Sequence, residues 1–230
     1  MRPLTDTCPK PLLKVRGRPL IVWHILKLVR AGITEIVINH AHLGQMIERA
    51  LGNGAQFGAS IEYSREGSAL ETAGGIAKAR HLLGDAPFVA IAADIYCPHF
   101  DFEQVKTTLE DTDLWGKLLP IERRDVAWLY LVKNPPHKVE GDFALHSFSI
   151  ANEGEPRHTF SGIGVYRPEM FDGVAPGDTA KLAPILRAYA ARGRVGGELY
   201  RGTWTDVGTA ERLAELNTAP TRAAIKGTSK

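Results

Sequence analysis

The sequence predicts an α/β fold: a three-layer, Rossmann-like, mixed and mostly parallel sheet with helices on both faces. Two fully apolar runs, Ile36-Val37-Ile38 and Phe88 to Ala93, are too continuous for strands with one wet face. Amphipathic helical stretches alternate with them, and that alternation is the signature of strands joined by crossover helices. A composition of 44% hydrophobic and 23% charged residues is that of an ordinary globular chain.

Leu20 to Ala31 is predicted as a helix because Ile21, Ile25, Leu28 and Val29 recur on one face, with Gly32 as its stop. Ile33 to Asn39 follows as a buried strand, Leu43 to Leu51 as a helix, and Ser60 to Ser64 as an alternating strand. Gly74 to Leu83 is predicted helical, and Phe88 to Ala93 a second buried strand ending on Asp94. Further on, Trp128 to Val132 and Gly162 to Tyr166 read as strands, and Lys181 to Ala191 and Thr209 to Asn217 as helices. At 230 residues the chain is long enough for one large core. One domain is expected over residues 1–217, in halves 1–112 and 113–217, with 218–230 as a frayed tail.

Several function classes recede on composition. A net charge of +2 spread along the chain is no nucleic-acid or membrane footprint. No apolar run approaches the ~18 residues that span a bilayer. Cys8 and Cys97 lack the number and spacing of a disulfide or zinc framework, which fits reduced thiols and a cytoplasmic setting. A G-x-x-x-x-G-K-[ST] loop is missing, as is a G-x-G-x-x-G after any strand.

Ligands of open α/β sheets bind beyond the carboxyl ends of the strands, which singles out Asp94. Asp206, in Trp204-Thr205-Asp206-Val207-Gly208-Thr209, stands between a strand and the last helix. Either aspartate alone reads equally well as a cap or turn residue. Together they suit Mg²⁺, which takes few protein ligands and keeps positions for phosphate oxygens. In Pro9-Lys10-Pro11-Leu12 the prolines are expected to hold the backbone extended and exclude helix, displaying Lys10 to transferring phosphates. Leu70-Glu71-Thr72-Ala73-Gly74-Gly75 is a small-residue turn opening a helix, where glycines let a base or phosphate approach the backbone. His40-Ala41-His42 reads as a polar loop, Glu122-Arg123-Arg124-Asp125 as a solvated turn, and Trp115, Trp128 and Trp204 as core or interface.

These segments, with Arg2-Pro3-Leu4-Thr5 and Gly17-Arg18-Pro19-Leu20, resemble in order and spacing the sugar-1-phosphate nucleotidyltransferase family over nearly the whole chain. Ile38-Asn39-His40-Ala41, Gly141-Asp142-Phe143, Phe160-Ser161-Gly162-Ile163 and Lys181-Leu182-Ala183-Pro184 are similar to its N-acetylmuramate-1-phosphate uridylyltransferase branch, which serves cell-wall (peptidoglycan) recycling. The resemblance implies transfer of a nucleoside monophosphate from an NTP, UTP first, to a sugar-1-phosphate, with release of pyrophosphate. It implies that Lys10 contacts the nucleotide phosphates and that Asp94 and Asp206 hold Mg²⁺. Glu71, Thr72, Gly74 and Gly75 would meet the nucleotide, and Asn134, Asp142, Gly162 and Lys181 the sugar phosphate. Partners are then small molecules, on a monomer or homo-oligomer.

Two departures qualify it. The family opens with a buried strand and an L-A-A-G-x-G-x-R turn ahead of the equivalent of Met1-Arg2-Pro3-Leu4-Thr5; that opening is absent, and Arg2 falls on a variable position. The chain as it stands is therefore expected to be unstable, rescued by dimerisation or nearly inactive beside a version extended upstream. Ala92-Ala93-Asp94 replaces the family's Gly-Asp end, and Pro135-Pro136-His137-Lys138 stands where glucose-1-phosphate enzymes carry Glu-Lys-Pro. Nucleotidyl transfer from GTP or dTTP to mannose- or glucose-1-phosphate is the nearest alternative. A regulatory homologue that only binds a nucleotide sugar is the other, opposed by the retention of Lys10, Asp94 and Asp206.

Overall fold

The computed structural model describes residues 1–110 and 125–218. Its helices are α1 (Leu4–Thr7), α2 (Leu20–Arg30), α3 (Gly44–Leu51), α4 (Glu71–Leu83), α5 (Phe102–Glu110), α6 (Leu182–Ala190) and α7 (Ala210–Thr218). The strands are β1 (Lys14–Val15), β2 (Arg18–Pro19), β3 (Glu35–His40), β4 (Ser60–Arg65), β5 (Phe88–Ile91), β6 (Ile95–Tyr96), β7 (Ala127–Val132), β8 (Phe143–His146), β9 (Ser149–Ala151), β10 (Arg157–Tyr166), β11 (Val195–Leu199) and β12 (Thr205–Asp206). The turn expected at 122–125 lies outside the described residues apart from Asp125, and so does Trp115.

A six-stranded sheet in the order β5-β10-β7-β11-β9-β8 forms the centre. Its three-layer character follows from alternation along β7. Leu129 and Leu131 point into one core with Ile76 of α4 and Leu186 of α6. Trp128 and Tyr130 point into the opposite core with Leu28 of α2 and Val105 of α5. Each fully buried leucine contributes roughly 1.5–3 kcal/mol to that arrangement. A parallel pair, β3 and β4, lies under α2 and α3, whose Ile25, Ile47 and Leu51 cover Ile38 and Ile61.

The sheet is mixed, as expected, but not mostly parallel among the described residues. β3–β4 and β7–β11 are parallel, whereas β10 runs antiparallel to β5, β7 and β8, and β9 antiparallel to β8 and β11. A continuous apolar run reports cover on both faces, which an antiparallel strand between two helical layers shares with a parallel one. The helix ends follow local chemistry more closely. After α2, Gly32 takes φ 78°, and its amide and that of Ile33 reach Val29 and Leu28, capping the last carbonyls.

β3 and β5 do not pair. Ile36 to Asn39 and Phe88 to Ala93 instead line an apolar slot of about 270 Å³ between them, floored by Ile21, Ile25 and Leu28. All four residues of β5 are consequently only half-buried. His24, buried on α2, also faces the slot. Its Nε2 lies 3.0 Å from the Ile95 carbonyl, and its Nδ1 has no partner among the described residues.

Candidate active site

Two strand ends bring the predicted aspartates together. The short pair β6–β12 sets Asp206 opposite Ile95, and the Val207 amide donates to the Asp94 carbonyl at 2.7 Å. Asp94 therefore stands immediately before β6, three residues beyond β5, and beside Asp206, although 112 positions separate them in sequence (206 − 94).

Lys10 reaches Asp94 across the chain, Nζ to Oδ2 at 2.7 Å, with both side chains about a third exposed. Its backbone is not extended, contrary to expectation. Lys10–Leu12 is a 3₁₀ turn closed by the Leu12 and Leu13 amides on the Pro9 and Lys10 carbonyls. Pro11 is compatible with it because a residue in a first helical turn has no call on its own N–H. The prolines hold Lys10 firmly, but by a tight turn.

The 70–75 segment is built differently from the sequence reading. α4 begins at Glu71, three residues ahead of the expected Gly74 start, and Glu71 itself takes the left-handed φ of 61°. Glu71 and Thr72 are exposed, and Thr72 and Gly75 line the slot. The glycines have packing duties. The Ala73 and Gly74 amides both bond the Ala180 carbonyl, so the 178–180 segment occupies the helix start. A methyl group on Gly75 would meet Asn39 Nδ2 and the Glu66 carboxylate, which bond one another at 2.6 Å. Glu66 also accepts the Leu70 amide at 2.9 Å, so it ties the ends of β3 and β4 to α4.

On the other side, Gly162 sits at a bulge of β10 with φ 86°, its carbonyl accepting the Ala92 amide at 2.8 Å. It shares the slot wall with Thr72, Ala92 and Ala93, so residues expected at the nucleotide and at the sugar phosphate meet in one cavity. Lys181 is exposed just before α6. Asn134 and Asp142 are engaged in the loop between β7 and β8. Asn134 bonds the Val139 and Arg157 carbonyls and Thr159, while Asp142 accepts from Lys138 and the Phe160 amide.

That loop delivers a residue whose role the sequence reading missed. His137 Nε2 lies 3.1 Å from Asp206 Oδ1, and Arg212 of α7 lies 3.1 Å from both Asp206 oxygens. Arg212 Nη1 also lies against the His137 ring, 2.6 Å from Nε2 and 2.9 Å from Nδ1. A cation in the first turn of a helix opposes the macrodipole, and that was the one sequence signal available for Arg212.

Among the described residues, no group of three His, Cys, Asp or Glu side chains could hold a metal by itself. Asp94 and Asp206, whose backbones meet at β6–β12, carry carboxylates of the hard-oxygen kind that Mg²⁺ takes, its remaining positions going to water and phosphate. His40 closes β3 and bonds Glu48 at 2.8 Å. The Cys97 thiol is buried and pushed up to about 12, so it is inert. Among the described residues, no helix is long and apolar enough to cross a membrane.

The family model described as nucleotidyl transferase matches residues 1–119. An N-acetylmuramate alpha-1-phosphate uridylyltransferase of Neisseria meningitidis serogroup B is 49% identical over 219 residues, 94% of this chain and 90% of the relative. The chain belongs to the nucleotidyl transferase family. More distantly, a mannose-1-phosphate guanyltransferase beta-A of Xenopus laevis is 24% identical, over 90% of this chain and 58% of its own length. The structure of a Bacillus anthracis protein assigned as a glucose-1-phosphate thymidylyltransferase superposes with a TM-score of 0.77 at 23% identity, covering 94% of this chain and 88% of the other. That of an apo UDP-glucose pyrophosphorylase does so with a TM-score of 0.67 at 17% identity, covering 94% and 92%. These two carry the α/β fold; the family rests on the first two matches. The chemistry is thus transfer of a nucleotidyl group.

Proposed function

We propose that this nucleotidyltransferase converts UTP and N-acetylmuramate-1-phosphate to the UDP-sugar and pyrophosphate, in the cytoplasm, as a step of peptidoglycan recycling. The observation that carries the catalytic half is Lys10 held on Asp94 beside Asp206. The choice of sugar and base rests on the Neisseria relative.

A phosphate oxygen of the sugar-1-phosphate attacks the α-phosphorus in line. The new P–O bond forms as the bond to the bridging oxygen breaks, and pyrophosphate carries the charge away. Asp94 and Asp206 would hold Mg²⁺, which supplies charge neutralisation on the phosphates when bound. Lys10 moves from Asp94 to the phosphates, a shift open to it because the pair is partly solvated. Glu71, Thr72, Gly74 and Gly75 shape the nucleotide side; the glycines do so by admitting the Asp178 carbonyl and the Asn39–Glu66 pair. Gly162 and Lys181 lie toward the sugar phosphate, and Asn134 with Asp142 shape the loop bearing His137. N-acetylmuramate carries a lactyl carboxylate that calls for a cation; Arg157 is engaged by the Glu140, Asn152 and Asp142 carbonyls, whereas Lys181 and Arg201 are exposed, which supports one of these two in that role. Among the described residues the facing edges of β3 and β5 are unpaired, and an extended apolar segment would fit between them.

The test is pyrophosphate release with UTP, Mg²⁺ and N-acetylmuramate-1-phosphate, from the chain as it stands and from a version extended upstream. Asp94→Asn and Asp206→Asn are made in whichever is active. Collapse in both variants supports the chemistry. Release with GTP and mannose-1-phosphate, but not with the first pair, would replace the substrate assignment. No release with any nucleotide and sugar phosphate would leave a binding protein.

A further inference from the structure

We propose that Arg212 competes with the divalent cation for Asp206, so that the Arg212–Asp206 ion pair and metal binding exclude one another. The inference rests on the reading of Asp94 and Asp206 as the metal-holding pair. Arg212 Nη1 straddles the carboxylate, 3.1 Å from Oδ1 and 3.1 Å from Oδ2, which is where a cation shared by both oxygens would sit. The neighbouring carboxylate, Asp94, has its own cation in Lys10. Each acidic group is thus already balanced by a basic side chain, and a divalent ion must displace what balances it.

Three features mark Arg212 as placed for this exchange. It is the third residue of α7, where the helix dipole repels a cation, and Asp206 is the one charged group that holds it there among the described contacts. Its Nε is buried without a hydrogen-bond partner among the described residues, so the arm is anchored through its tip. A methyl group on Gly208 would stand 2.1 Å from Arg212 Nη2, so the glycine of the Asp206-Val207-Gly208 turn keeps open the space in which the guanidinium lies. Arginine does not deprotonate in proteins, so the exchange proceeds by movement of the side chain. The displaced guanidinium then offers its N–H groups to phosphate oxygens, with the His137 ring as its remaining contact.

The experiment is Mn²⁺ titration of the full chain without nucleotide, following free Mn²⁺ by electron paramagnetic resonance. Wild type is compared with Arg212→Met, Arg212→Gln, Arg212→Lys and Asp206→Asn, and melting curves establish that each is folded. Arg212→Met and Arg212→Gln are expected to bind Mn²⁺ about tenfold more tightly, the order set by removing a unit charge in contact with a ligating carboxylate. Arg212→Lys stays near wild type, Asp206→Asn loses binding, and KM for the nucleotide rises in the Met and Gln variants. A tighter site cannot arise from structural damage. Unchanged or weaker Mn²⁺ binding in both neutral variants overturns the proposal while Asp206→Asn still loses the metal. Undiminished binding by Asp206→Asn removes the metal reading and this inference with it.

Discussion

Gly74 and Asp178 approach so closely that a Cβ on Gly74 would stand 2.1 Å from the Asp178 carbonyl oxygen. Backbone cannot give way as a side chain tip can. Gly74→Ala is expected to destabilise the chain by about 1–3 kcal/mol in urea unfolding. Gly75→Ala, which meets only the movable ends of Asn39 and Glu66, should cost less. Equal costs would show that the 178–180 segment yields readily.

Lys10→Met separates function from stability. The Lys10–Asp94 pair is about a third exposed at each end, so its loss should change unfolding by no more than ~1 kcal/mol. Turnover should fall on the order of 10²–10³-fold if the ammonium serves the phosphates. Steady-state kinetics beside a denaturation curve reads both, and intact turnover would reassign the lysine to structure.

His24 gives stability a pH dependence of predictable sign. Burial pushes its ring down to about 4 from 6.5, partly offset by the Ile95 carbonyl. The fold holds the neutral ring, and the unfolded chain takes up a proton below pH 6.5. Stability from this group is therefore complete above that value and lost as pH falls toward 4, roughly 3 kcal/mol in all. Urea unfolding between about pH 7.5 and 4.5 should show a shallower loss in His24→Gln than in wild type. Parallel curves would mean that the ring is hydrated in the native state.

The open edge of β5 is visible to hydrogen exchange. Ala92 donates to Gly162, and Ala90 lies opposite Gly164, so these amides face β10. Alternation turns Val89 and Ile91 toward the slot. Their amides should exchange far faster than that of Ala90, a contrast residue-resolved exchange measures directly. Uniform protection along the strand would mean that the slot is filled in solution.

What the sequence made legible was what local chemistry dictates. The helical faces of α2 and α3, the apolar runs of β3 and β5 and the last turn at Gly32 stand within a residue or two of expectation. Asp94 and Asp206 were singled out because strand ends are where such sheets place ligands, and their backbones meet at β6–β12. Strand direction was not legible, because cover on both faces looks the same for β5 and β10 whichever way they run. The glycines at 74 and 75 were read as openings for ligand; they accommodate Asp178, Asn39 and Glu66, residues far enough away in the chain to leave no local trace. His137 and Arg212 were missed for the same reason, since 75 positions separate them (212 − 137) and neither forms a motif alone.

The long strand β10 pairs with β5, β7 and β8, joining residues from before position 112 to those after it in one hydrogen-bonded plate. A plate of this kind has no hinge between its two sides. Nucleotide and sugar phosphate cannot be brought together by one half swinging over the other, as in enzymes that close like jaws. Traffic through the site falls to the pieces attached at its rim: the turn at Lys10, the loop bearing His137 and the segment lying on Gly74. The speed of turnover then depends on how fast those few short stretches let pyrophosphate go, while the plate beneath them stays still.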